Sequence, residues 1–186
     1  MPRDGSDARR RLQGAALELF GERGYDDVTA AQIAARAGVT ERTFFRHFKD
    51  KREVLFDGEG AFRDALVAGV DSAPPGADAL TAVLRGYGEV EEMLEANRAF
   101  SGPRHRVIAA APALQERMLS KTAGLIDALA TALQRRGVDA GAAVLAAQVG
   151  SAVFNRALQA WMEQPEPGLA EHLRRAADEL RQLTGR

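Results

Sequence analysis

The chain has 186 residues, of which 46% are hydrophobic and 27% charged, and its formal net charge is −1. Its apolar stretches are too interrupted by charge for a membrane span, and no basic start leads into a signal-type apolar run, so a soluble, cytoplasmic protein is expected. Cysteine is absent, which excludes disulfides, thiolate catalysis and cysteine-based metal sites, and His47, His105 and His172 are too far apart to make a local ligand cluster.

Charge is unevenly spread. Residues 1–52 hold 11 Lys/Arg against 8 Asp/Glu, and residues 53–186 hold 14 against 18. A basic first third on an acidic remainder points to a polyanion as the partner of the first third. Alanine occurs 36 times, as expected of closely packed helices. β-Branched residues are sparse and no period-2 alternation is sustained, so no strand is expected.

The elements read as helices throughout. Leu12, Ala15, Ala16, Leu19 and Phe20 make one apolar face, which Gly24 ends. Thr29 caps a short second helix, with Gln32 at capping-box spacing and Ile33, Ala34 and Ala37 on the buried side. Gly38 is the turn. Thr40 caps a third helix whose inner face carries Phe44 and Phe48. A longer helix is expected from Lys51 to about Val70, then a Pro-Pro linker over 71–76. Further helices are expected at 77–97, 103–110, 112–136, 139–163 and 168–184. The last has a seam of Leu169, Leu173, Ala176, Leu180 and Leu183, and the one before it a small-residue stripe of Ala142, Ala146, Gly150, Val153 and Ala157. Both suit a two-fold four-helix bundle, although the seam could instead pack on its own subunit. The expected fold is all-α with about nine helices, divided at residues 52/53.

Thr29–Ala37 and Thr40–Phe48 meet the requirements of a helix-turn-helix. Ala34 is small at the helix contact, Gly38 accepts a positive φ, and Ile33, Ala37, Val39 and Phe44 glue the pair. The run Ala15-Ala16-Leu17-Glu18-Leu19-Phe20-Gly21-Glu22-Arg23-Gly24-Tyr25 lies upstream. With Thr29, Ile33-Ala34, Ala37-Gly38-Val39-Thr40, Thr43-Phe44, His47-Phe48 and Lys51 it resembles the tetracycline-repressor (TetR) family of bacterial regulators. The resemblance covers roughly residues 9–57. It implies an all-helical homodimer with three N-terminal DNA-binding helices and a C-terminal ligand-binding and dimerisation domain.

By that resemblance, Thr29 meets a phosphate at a helix start, and Thr40, Glu41, Arg42 and Thr43 enter the major groove, although Glu41 would repel phosphate and either accepts from cytosine N4 or merely caps the helix dipole. Arg42 is the candidate for guanine O6/N7. His47 and Lys51 match positions that touch the DNA backbone, and His47 reads equally as a plain helix-end cap. Phe45 departs from the family's usual Tyr and loses a phosphate contact, which Arg46 is placed to replace; Phe45 then packs on sugar or a thymine methyl. Arg9, Arg10 and Arg11, extended by Arg3, read as a DNA-backbone arm or a solvated helix face, and Asp50 and Asp57 show no role beyond solubility.

Candidate effector-lining residues are Phe62, Leu66, Tyr87, Phe100, His105 and Met118, with Gln148, Ser151 and Asn155 as polar groups at i, i+3, i+7. Each apolar one taken singly reads first as ordinary core, His105 between Arg104 and Arg106 suits an acidic ligand or a surface basic cluster, and the polar three could face a partner or water. The function expected is a dimeric repressor that binds an inverted-repeat operator in double-stranded DNA and is released by a small hydrophobic effector. An activator, or a regulator without a ligand, would share the same DNA chemistry. No cofactor, metal or enzymatic activity is expected, because no catalytic constellation or phosphate loop is evident.

Overall fold

The computed structural model describes residues 3–185, with side chains from Asp7 onward. Its helices are α1 (Arg3–Arg23), α2 (Ala30–Arg36), α3 (Glu41–His47), α4 (Glu59–Asp71), α5 (Ala79–Gly88), α6 (Glu91–Ala96), α7 (Arg98–Ala110), α8 (Pro112–Arg135), α9 (Ala140–Glu163) and α10 (Leu169–Leu183). A 3-10 turn, Glu53–Phe56, precedes α4. The fold is all-α, as expected, with no strand among the described residues. No described helix is long and apolar enough to cross a membrane.

Three expected helices differ in extent. The helix expected over 51–70 is broken at Asp57-Gly58, where Gly58 takes φ +82°. The helix expected over 77–97 is split at Glu89 and Val90 into α5 and α6. The helix expected from Pro103 starts at Arg98 and carries that proline inside it.

The chain forms two compact units. The first takes residues 1–58 and 99–120, and the second 59–98 and 121–186; the boundary expected from sequence lies at 52/53. In the first unit Leu12, Ala16, Leu19, Phe20, Ile33, Phe44, Phe48, Leu55 and Phe56 are buried together with Val107, Ile108 and Leu114 from α7 and α8. Four of these core residues are phenylalanines, whereas Phe45 is exposed. In the second unit Leu66, Val70, Val83, Tyr87, Leu129, Leu133, Phe154, Trp161, Leu169 and Leu173 are buried together.

The second unit depends on close helix crossings. A Cβ on Gly69 of α4 would lie 2.7 Å from the Gly86 Cα of α5, and one on Gly86 would lie 2.7 Å from the Leu66 carbonyl oxygen. Gly150 of α9 abuts Val83 in the same way. The small-residue stripe thus admits α5 of its own chain. Backbone cannot yield as a flexible side chain can, so Gly86→Ala is expected to cost about 1–3 kcal/mol in denaturant unfolding. Gly88→Ala in the same helix, where a Cβ meets nothing within 4 Å, is the control and is expected to be neutral or mildly stabilising.

The leucine seam of α10 is also used internally. Leu169, Leu173 and Ala176 are buried in the single chain and Leu180 is half-buried, whereas Leu183 is 85% exposed. The N-terminus of α10 begins at Gly168, which has no side chain to cap it. Glu95 and Glu91 of α6 supply the acceptors instead, taking bonds from the Leu169 and Ala170 amides at 3.3 and 3.1 Å.

Candidate nucleic-acid interface

Local sequence explains the α2–α3 pair well. The Thr29 hydroxyl accepts from the Gln32 amide at 3.2 Å, and the Gln32 side-chain oxygen accepts from the Thr29 amide at 2.8 Å, closing the expected capping box. The end of α2 is a Schellman turn: Gly38 at φ +67° donates to the Ala35 carbonyl at 3.1 Å, and Val39 donates to Ala34 at 2.9 Å. Thr40 caps α3 by accepting from the Thr43 amide at 3.2 Å, and the two threonine hydroxyls sit 3.0 Å apart. Phe44 and Phe48 face inward and are buried.

The outer face of α3 is what remains. Glu41, Arg42, Phe45 and Arg46 are exposed. Arg42, Phe45 and Arg46 are neighbours on one face, at i, i+3 and i+4. Among the described residues nothing forms a hydrogen bond or ion pair with Arg42 or Arg46. Two unpaired guanidiniums beside an open turn form a surface able to bind phosphate oxygens and guanine acceptors.

Other sequence-selected residues are engaged inside the unit. The Lys51 ammonium donates to the carbonyls of Tyr25 at 2.8 Å, Val28 at 2.9 Å and Asp26 at 3.3 Å, and lies 4.1 Å from the Tyr25 ring centre. These three acceptors use all three of its donors. Lys51 thus ties the α1–α2 loop to the end of the reading pair. Arg9 is part of α1, not a separate arm; it makes a bidentate ion pair with Asp57 and lies 5.3 Å from the Phe48 ring centre. Arg10 and Arg11 sit near Asp7 in the same helix, and the Arg3 side chain falls outside the described residues. Asp57 and Asp50 therefore do more than solubilise. Asp50 caps the 3-10 turn, accepting from the Arg52 and Glu53 amides at 2.8 and 3.1 Å. These pairings join residues up to 48 positions apart, which no local pattern reveals.

His47 is half-buried, and its enclosed Nε2 has no hydrogen-bond partner among the described residues. Burial pushes its pKa below the ordinary 6.5, and the Arg46 and Arg9 charges push the same way against Asp57. A pKa lower in the folded chain means that the unfolded chain takes up the proton first. Stability is thus lost as pH falls through 6.5 toward the folded value. His47→Gln is expected to flatten the pH dependence of the melting temperature between pH 7 and 5. An unchanged profile would show that His47 does not carry it.

The nine effector candidates divide between the units. Tyr87 is buried, stacked on Phe154 at 4.2 Å and 12°, and its hydroxyl lies 2.7 Å from the Ser151 hydroxyl. Desolvation raises the Tyr87 pKa to about 12, so it stays a neutral phenol. Phe62 packs near Phe154 at 6.3 Å, and Leu66 is fully buried beside them. Phe100 and Met118 are half-buried against the core of the first unit, and His105 there is exposed. Of the polar triplet only Ser151 is buried; Gln148 and Asn155 are exposed on α9. A cleft of about 410 Å3 in the first unit is lined by Lys49, Asp50, Arg52, Glu53, Glu116, Arg117 and Ser120. It is a charged cleft, with Arg117 bonded to Glu53 at 2.6 Å and Arg52 to Asp50 at 3.1 Å.

A capped helix pair on a tight glycine turn, with free cations on the second helix and a separate helical unit behind it in sequence, defines a helix-turn-helix DNA-binding regulator. Residues 14–57 match the family model for bacterial regulatory proteins of the tetR family, and residues 75–184 match the model of the MftR C-terminal domain. The chain belongs to the TetR family of transcriptional regulators, with a C-terminal domain of the MftR type.

Among curated relatives, the regulator TcmR of Streptomyces glaucescens is 34% identical over 63% of this chain, a match that spans half of TcmR. A putative mycofactocin biosynthesis transcriptional regulator, MftR of Mycobacterium tuberculosis H37Rv, is 28% identical over 96% of this chain and 94% of its own length. Among solved structures, a SmeT–triclosan complex aligns with a TM-score of 0.65 at 22% identity, covering 95% of this chain and 90% of that one. The fatty acid degradation regulator FadR of Bacillus halodurans aligns at 0.59 and 18% identity, covering 90% and 91%. At these identities the solved structures establish the fold.

Proposed function

We propose that the chain acts as a homodimeric repressor that binds an inverted-repeat operator and is released by a small hydrophobic effector. The observation that carries the DNA-binding part is the outer face of α3, where Arg42 and Arg46 stand exposed and unpaired on a helix whose other side is locked into the core. Arg42 would read a base edge and Arg46 a phosphate, with Thr29, Thr40, Glu41, Thr43 and His47 lining the approach.

Dimerisation is supported by α9. Val144 (40% exposed), Leu145 (62%), Gln148, Ala152 and Asn155 are all exposed and fall within an arc of about 100° at the helical step. An apolar-to-polar stripe of this kind suits a two-fold contact in which each helix meets its own copy. Leu145→Arg is expected to convert a species of twice 20.0 kDa in light scattering into one of 20.0 kDa, with weaker binding to a palindromic duplex.

The effector reading rests on the buried aromatic group of Phe62, Tyr87 and Phe154 with its single polar pair, Tyr87–Ser151. Two solved relatives of this fold are complexes with triclosan and with lauroyl-CoA. Trp161, the only tryptophan, is fully buried in the same unit with Arg98 5.8 Å from its ring centre, so its fluorescence reports on this core. Titration with triclosan and with lauroyl-CoA, followed by Trp161 emission and by release from DNA, tests the effector part. A compound that binds and leaves DNA affinity unchanged would refute its regulatory role.

A further inference from the structure

Phe45 is anomalous on a surface otherwise built from charge. It is 52% exposed, while the neighbouring aromatics Phe44 and Phe48 are buried. Its ring stands edge-on to Phe44 at 5.3 Å and 82°, so the buried ring holds the exposed one in a defined orientation. Arg42 and Arg46 flank it on the same face.

A phenyl ring cannot donate to a phosphate and gains nothing from water. The guanidiniums on either side would bring it against a polyanion. On the edges of duplex DNA that a helix can reach in the major groove, one base presents an apolar group, the thymine 5-methyl. We propose that Phe45 reads a thymine 5-methyl in each half-site, next to the base read by Arg42. The inference rests on the DNA-binding role proposed above. It adds an apolar contact to a face that would otherwise discriminate by charge and hydrogen bonding alone.

The test uses the full-length protein and a duplex selected from random DNA, with each thymine replaced in turn by deoxyuridine. This deletes one methyl and leaves base pairing intact. At one thymine per half-site, affinity is expected to fall about fourfold, the factor corresponding to one methyl at about 0.8 kcal/mol. Phe45→Ala removes the contact from both half-sites, so it is expected to bind the thymine duplex about 16-fold more weakly, fourfold for each, and to be indifferent to uracil at that position. Phe45→Leu, which keeps an apolar group, is expected to retain part of the sensitivity. Tight binding by the wild type that ignores every uracil replacement would overturn the proposal while leaving DNA binding intact. So would uracil sensitivity that persists unchanged in Phe45→Ala. Failure of the wild type to bind any duplex would remove the role on which the inference rests. The uracil arm uses wild-type protein, so it does not depend on how a variant folds.

Discussion

Arg42→Ala/Arg46→Ala protein is expected to bind its operator on the order of 100- to 1000-fold more weakly than wild type, with an unchanged melting temperature. The stability part follows from geometry. Both side chains are exposed, and no described residue pairs with either, so their removal leaves no buried group unsatisfied. The affinity part follows from chemistry: a bidentate arginine on guanine is worth about 1–3 kcal/mol of discrimination, and a two-fold dimer loses each contact twice. The single variants separate the roles. Arg42→Ala is expected to relax preference at one base pair per half-site. Arg46→Ala is expected to weaken all sequences alike and to reduce the slope of log K against log salt by about 1 per subunit. Equal losses on all sequences from both would show that α3 carries only backbone contacts.

Lys51→Met is expected to behave oppositely, lowering folding stability by about 2–4 kcal/mol, because charge-assisted bonds to carbonyls exceed neutral ones in strength. Lys51 holds three carbonyls, those of Tyr25, Asp26 and Val28, and its methionine replacement keeps the stem while leaving those oxygens without their donor. Chemical denaturation of the full chain reads the loss. At temperatures where the variant is folded, the salt slope of DNA binding is expected to match wild type, since all three Lys51 donors are spent internally. A slope reduced by about 1 per subunit with unchanged stability would instead make Lys51 a phosphate contact.

The contrast between these two sites shows what one sequence can and cannot reveal. Thr29 with Gln32, Gly38, Thr40, and Phe44 with Phe48 act over three or four residues, so caps, turn and buried face were legible from spacing alone. The pairs Arg9–Asp57 and Lys51–Tyr25 join elements that only the fold brings together, and a lysine beside a reading helix looks the same whether it faces phosphate or a carbonyl. Helix breaks escaped for a related reason. A glycine such as Gly58 is tolerated in a helical pattern, and Glu89 and Val90, where α5 and α6 separate, carry no breaker at all. Gln148 and Asn155 are four or fewer residues from Ser151, yet that spacing is enough for the fold to bury the serine and expose the other two. Phe100 and Met118 carried an apolar signal that told core from pocket no better than composition does, and they pack with the first unit.

The central claim is that the outer face of α3 recognises duplex DNA. Its most direct test is selection of duplexes from a random pool by the purified full-length protein, followed by affinity measurement across a salt series. An inverted repeat is expected to be recovered, with log K falling linearly with log salt. No enrichment of any sequence, and no binding to any duplex at low ionic strength, would contradict it.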